Sequence, residues 1–150
     1  MLIKKIKNRE SNIVLYGITP PKKGTSDEKV AEISARQVER LQAQQVDGLV
    51  LYDIQDEKSR TDEERPFPFM ETLDCYDYSQ QHLTGLKIPK IIYRAVGKYS
   101  KPELSNFLTS ADPSNNLTIF VGAASKSQEV TLSINDAYNV KAESNSDVLL

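Results

Sequence analysis

Two dipeptides carry most of the chemistry this sequence offers: Tyr52-Asp53, ending one β-rich run, and Tyr93-Arg94, inside another. A carboxylate at the C-terminal end of a strand is partly desolvated, which suits it to proton transfer or hydrogen bonding. Asp53 is therefore the candidate catalytic residue; the competing reading has it capping the turn that follows. Side chains alternate along a strand, so Tyr93 and Arg94 face opposite ways. An arginine inside an apolar run is costly unless paired, which calls for a bound anion or a carboxylate of the protein as its partner.

Lesser constellations surround these. Thr19-Pro20-Pro21-Lys22-Lys23 leaves the first β-rich run through a stiff proline pair, because proline fixes φ; Thr19 and Lys22 are candidate substrate contacts, Lys22 toward an anion. Gly122-Ala123-Ala124-Ser125 is a run of small residues that lets a ligand or backbone approach closely. Arg65-Pro66-Phe67-Pro68-Phe69 holds two aromatics stiffly inside a charged loop, to cover a flat ligand or to bury themselves. The charged run Asp62, Glu63, Glu64, Arg65 reads as solvated. With one cysteine, Cys75, and one histidine, His82, neither a zinc site nor a Cys/His nucleophilic pair is supported, and no internal disulfide can form.

The elements that must position these residues are legible as alternation. Continuous apolar runs lie at Asn12–Ile18, Gly48–Ile54, Lys90–Val96 and Leu117–Ala123, with a fifth beginning at Asp147–Leu150. Such runs suit parallel strands covered on both faces. Between them lie helical patterns. Thr25 with Glu28 and Ser100 with Glu103 fit capping boxes, Ser133 with Asp136 is a weaker start, and Glu71–Leu83 is helix-compatible. Strand, loop and helix, repeated four times, give an α/β fold of parallel βα units in the order one-two-three-four, with Leu15, Val50, Ile92 and Ile119 expected in the core. The expected architecture is the N-terminal half of a (β/α)₈ TIM barrel: residues 1–150 as a single domain, an incomplete barrel of four βα units and the start of a fifth strand. Loops after strands are long and polar while those before them are short, which puts the ligand site at the strand C-termini. There Thr19, Tyr52, Asp53, Tyr93, Arg94 and Ser125 are expected to cluster.

Composition narrows the partners. A net charge of −2, with 19 basic residues scattered among 21 acidic ones, gives no basic stripe for nucleic acid. No run is apolar enough for a membrane span or a signal peptide, so a cytoplasmic protein is expected. Self-association, or a missing C-terminal half, is expected from the open sheet edges of a half-barrel.

Pro20-Pro21 after strand one, YDIQDEKSRT after strand two, Ser-Lys-Pro-Glu-Leu after strand three and VGAAS after strand four together resemble the methylenetetrahydrofolate reductase superfamily, and the resemblance runs from about Asn12 to Leu150. It implies a barrel binding FAD at the strand C-termini, with NADH or NADPH as electron donor and a folate as substrate, in one-carbon metabolism and methionine biosynthesis. Tyr52 matches the tyrosine of the family's flavin-touching Thr-Tyr pair, a family histidine falls near Tyr93, beside Arg94, and the family's flavin-binding Arg-Gly-Asp falls on Ala123-Ala124-Ser125. Tyr52, Tyr93, Arg94 and Ser125 are thus the implied cofactor contacts. The family's strand-one acid is replaced by Gly17. Two other functions stay open: a barrel enzyme or folate- or flavin-binding protein with different chemistry, and a non-catalytic assembly module.

Overall fold

The computed structural model describes residues 1–55, 64, 66–123 and 129–150. Helix α1 (Leu2–Lys7) precedes strand β1 (Leu15–Ile18). Then come α2 (Asp27–Gln42), β2 (Gly48–Leu51), α3 (Cys75–His82) and β3 (Lys90–Ala95). A 3₁₀ turn (Val96–Lys98) leads into α4 (Lys101–Ser110), β4 (Asn116–Val121) and α5 (Ile134–Ser144). The four strands form one sheet in sequence order, each parallel to its neighbour. The Thr118 amide donates to the Leu149 carbonyl at 2.9 Å, so the chain near its end adds to the far edge in the same sense.

Period-two alternation divides the core between the two faces of the sheet. On one face Leu49, Leu51 and Ile92 pack with Leu41, Tyr78, Leu104, Phe107, Leu108 and Val140 from the helices. Each such side chain, fully buried, contributes about 1.5–3 kcal/mol. The other face holds a smaller cluster of Val50, Ile91 and Leu117, joined by Leu2 of α1. Leu2 seats there because Gly48 has no side chain: a Cβ on Gly48 would lie 2.5 Å from Leu2 Cδ2. Lys5 then ties α1 to Asp47 at 2.6 Å, and the second Asp47 oxygen accepts from the Val14 amide.

Toward the strand C-termini that second face is open. There Ile119 and Val121 remain 38% and 39% exposed, and at the start of the edge strand Leu15 is 43% exposed. The expected burial of Leu15 and Ile119 is therefore corrected, whereas Ile92 and Val50 are buried as expected. The physical reasons differ: Ile119 lies on the open face beyond the reach of α1, whereas Leu15 begins β1, an edge strand with no neighbour on its outer side among the described residues.

Helix starts follow their capping residues. The boxes Ser100–Glu103 and Ser133–Asp136 both close reciprocally. The start of α2 shifts by one residue: Ser26 accepts from the Lys29 amide, and Thr25 instead donates to the Lys22 carbonyl. Helix α3 is shorter than the Glu71–Leu83 pattern because Asp74 caps it, accepting from the amides of Tyr76 and Asp77. No helix among the described residues is long and apolar enough to cross a membrane.

Candidate functional site

The strand C-termini present two different surfaces, one on each side of the sheet. On the open face the Tyr52 ring lies over Gly17, where a Cβ would fall 2.6 Å from its Cε2 and 3.0 Å from its hydroxyl. Tyr93, one strand further on, meets Tyr52 edge-on, with ring centroids 5.0 Å apart and planes at 78°. Tyr52 is 39% exposed. Gly17 thus opens a place on β1 that a neighbouring aromatic fills, leaving an accessible aromatic surface flanked by Ile119 and Val121.

Behind the sheet lies a buried ionic network. Arg94, 3% exposed, donates to Asp74 at 2.6 Å and to the Tyr99 hydroxyl at 3.0 Å. Its guanidinium sits 4.1 Å from the Phe107 ring centroid, a cation–π contact that replaces part of the lost hydration. Asp53 accepts from the Ala95 amide at 2.8 Å and contacts the Tyr99 hydroxyl at 3.0 Å, and its other oxygen is paired with Lys98. Lys98 lies 3.7 Å from Glu71, which also pairs with Lys23 at 3.0 Å.

Charge in this network is held where it is. Burial alone would raise the Asp74 carboxyl, but the Arg94 charge, the Asp77 amide and the hydrogen bonds from Arg94 and Tyr99 outweigh it and hold it below the ordinary carboxylate value. Burial, aided by the Asp53 charge, pushes the Cys75 thiol up. Burial also pushes the Tyr99 phenol up, against the pull of Arg94. These groups stay in one protonation state across neutral pH, which suits fastening more than proton transfer.

The sequence-derived candidates therefore separate. Tyr52 and Tyr93 come together on the open face, whereas Asp53 and Arg94 sit at the same end of the sheet in the network behind it. Asp53 has no exposed side-chain surface and ties the end of β2 to the 3₁₀ turn. Arg94 finds a carboxylate of the protein, Asp74. Thr19 is exposed just past β1. Lys22 is exposed and bridges Thr72 through its backbone, part of a short antiparallel contact that joins the Pro20–Lys23 loop to residues 71–73. Ser125, the run Asp62, Glu63 and Arg65 lie outside the described residues.

Sequence reasoning missed Asp74, Lys98 and Tyr99. Asp74 carried a signal, standing three residues before Asp77 as an N-cap does. Tyr99 and Lys98 carried none, because only the 3₁₀ turn brings them back over the sheet. A cleft of about 420 Å³ lined by Gln55, Glu71, Lys98, Val130 and Thr131 opens beside them. Among the described residues no group of three or more His, Cys, Asp or Glu side chains is placed to hold a metal ion.

No family model and no curated protein matches this sequence. A solved structure does: an uncharacterized protein from Clostridium thermocellum that binds two copies of 5-methyl-5,6,7,8-tetrahydrofolic acid. It is 44% identical to this chain and superposes with a TM-score of 0.81, over all of this chain and 46% of its own length. The chain thus spans less than half of that protein.

Proposed function

We propose that this chain is the reduced-folate-binding half of a (β/α)₈ barrel, with the flat pterin ring laid against Tyr52 and Tyr93 at the open-face strand ends. The observation that carries the reading is the edge-to-face pair of Tyr52, exposed over Gly17, with the half-buried Tyr93. A planar heterocycle gains about 0.5–1.5 kcal/mol from such aromatic contacts beyond its buried area. The ligand of the Clostridium thermocellum protein supports the reading, as do the 44% identity and the full overlap of this chain. The barrel half of the proposal draws on the sheet itself. Four parallel strands in sequence order, a fifth pairing at Leu149 and an apolar open face are what further βα units would complete.

The chemistry favours binding over reduction. Where the resembled reductases carry an acid, this chain has Gly17, and Tyr52 fills the space with a hydroxyl that can position a ligand atom by hydrogen bonding. For a flavin the described residues fit poorly. Of its implied contacts Tyr52 and Tyr93 face the open side, but Arg94 is committed to Asp74 behind the sheet.

Calorimetric titration of the full-length protein with 5-methyltetrahydrofolate tests it. Binding is expected, and Tyr52→Leu should weaken it by up to about tenfold, the equivalent of ~1.4 kcal/mol. No binding, or an affinity untouched by Tyr52→Leu and Tyr93→Leu together, overturns the reading. A purified protein that carries flavin absorbance, with nicotinamide oxidation dependent on folate, would replace it with the reductase.

A further inference from the structure

We propose a second reduced-folate site in the cleft between α3 and α4, on the helix-covered side of the sheet, with Asp77 receiving the amino-pyrimidine edge of the pterin. The inference rests on the folate reading above and assigns a place to a second ligand.

The cleft holds about 310 Å³, at the lower end of small-molecule sites, which run from about 300 to 1,000 Å³. That is room for the ring system, with the remainder of a folate outside. Tyr76 and Phe107 line it, ring centroids 5.1 Å apart and planes at 71°, and Tyr76 is fixed by its hydroxyl donating to the Ser110 carbonyl at 3.1 Å. Arg94 also lines it, all but 3% buried, and its Nε has no hydrogen-bond partner among the described residues.

Three carboxylates border the cleft, and two are spent. Asp74 serves Arg94 and the cap of α3, and Glu103 accepts from the Ser100 amide. The Asp77 carboxylate and the Asn106 amide line the same cleft at its exposed rim, and neither side chain hydrogen-bonds to another described residue. Burial and the neighbouring Asp74 charge raise the Asp77 carboxyl, so it gains from a ligand that donates to it.

A group that fits is flat, uncharged or cationic, and carries two adjacent N–H donors. An aminopyrimidine edge meets a carboxylate in this way, with two parallel hydrogen bonds like those of an arginine fork. The Asn106 amide is then available to the ring carbonyl. The glutamyl carboxylates of a folate are repelled by the acidic border and point to solvent. Because Tyr93 and Arg94 lie on opposite faces of β3, this site and the open-face site cannot share one molecule. Two separate sites match the two ligand copies of the Clostridium thermocellum protein.

The test is calorimetric stoichiometry on the full-length protein with 5-methyltetrahydrofolate, and with p-aminobenzoylglutamate as a probe lacking the pterin. Two equivalents are expected for the unaltered protein. Asp77→Asn should weaken one of them about tenfold or more, as for a lost hydrogen bond to a charged group, and Asn106→Leu should weaken the same one. Tyr52→Leu should weaken only the other. Both cleft positions tolerate change without unfolding, since neither side chain bonds within the fold, and a thermal melt of each variant verifies this. Two undiminished equivalents in Asp77→Asn and Asn106→Leu overturn the inference. So does a single equivalent sensitive only to Tyr52, which leaves the proposed function standing. Binding of p-aminobenzoylglutamate at the Asp77-sensitive site overturns the pterin assignment. No binding by the unaltered protein removes both readings together.

Discussion

Replacing Asp74 by Asn separates charge from shape at the centre of the buried network. Its carboxylate takes four contacts: the amides of Tyr76 and Asp77 at 2.9 and 3.0 Å, Arg94 at 2.6 Å and the Tyr99 hydroxyl at 3.1 Å. Asparagine caps helices about as well as aspartate, so α3 keeps its start. What goes is the counter-charge of a guanidinium only 3% exposed. Removing one partner of a buried pair costs about 3–5 kcal/mol. Asp74 itself is 26% exposed and Asp53 is near, so the low end applies, about 3 kcal/mol. With a urea slope of about 1–3 kcal/mol/M, the unfolding midpoint should fall by about 1–3 M at unchanged slope. Arg94→Met costs less, because the stranded Asp74 keeps two amide donors and some solvent. The double variant should cost less than the sum of the two. The sign of the pH effect follows from the lowered folded value of Asp74. Its contribution is full above the unfolded carboxyl value, about 3.9, and is lost as pH falls through the folded one. The gap between wild type and Asp74→Asn should therefore narrow below about pH 4. A loss under about 1 kcal/mol at pH 7, within the range of exposed pairs, or a gap constant down to pH 2, would refute the argument.

Gly17→Ala should displace the Tyr52 ring, weakening 5-methyltetrahydrofolate about tenfold while moving stability by less than about 1 kcal/mol, since the ring can swing outward; titration and urea melts read the two separately. Leu2→Ala empties a fully buried position under the sheet and should cost about 2–4 kcal/mol in the same melts. Cys75, fully buried with its thiol pushed up, should react with a thiol reagent only in denaturant, and fast labelling of the native protein would contradict its placement.

The strands were legible because a parallel strand covered on both faces is written as an unbroken apolar run, and Gly48–Leu51 is buried throughout. The same rule misled at Leu15 and Ile119, since an apolar run does not reveal which element supplies the second cover. Ser100 and Ser133 were readable because a capping box is local: its bonds lie within three residues. Helix α1 was not, because LIKKIK is short and rich in lysine, and it is held by Leu2 and Asp47 rather than by its own pattern. At the site, alternation correctly separated Tyr93 from Arg94. It could not say that Asp53 would be consumed by Lys98, Tyr99 and the Ala95 amide, since those partners lie more than forty residues away in sequence.

The order of the strands also bears on how the chain assembles during synthesis. Each strand pairs with the one made just before it, Leu15 with Gly48 and Lys90 with Asn116. Within β1–β4 each new edge is thus completed by the next strand to leave the ribosome, while the outer edge of β1 stays open. Helix α1 is the exception. Its anchor, Asp47, arrives 42 residues after Lys5, together with the Gly48 that makes room for Leu2. Helix α1 therefore locks only once β2 exists, and its docking marks completion of the first βαβ unit. A ribosome stalled before Asp47 emerges should leave α1 protease-sensitive, and one stalled well beyond it should not.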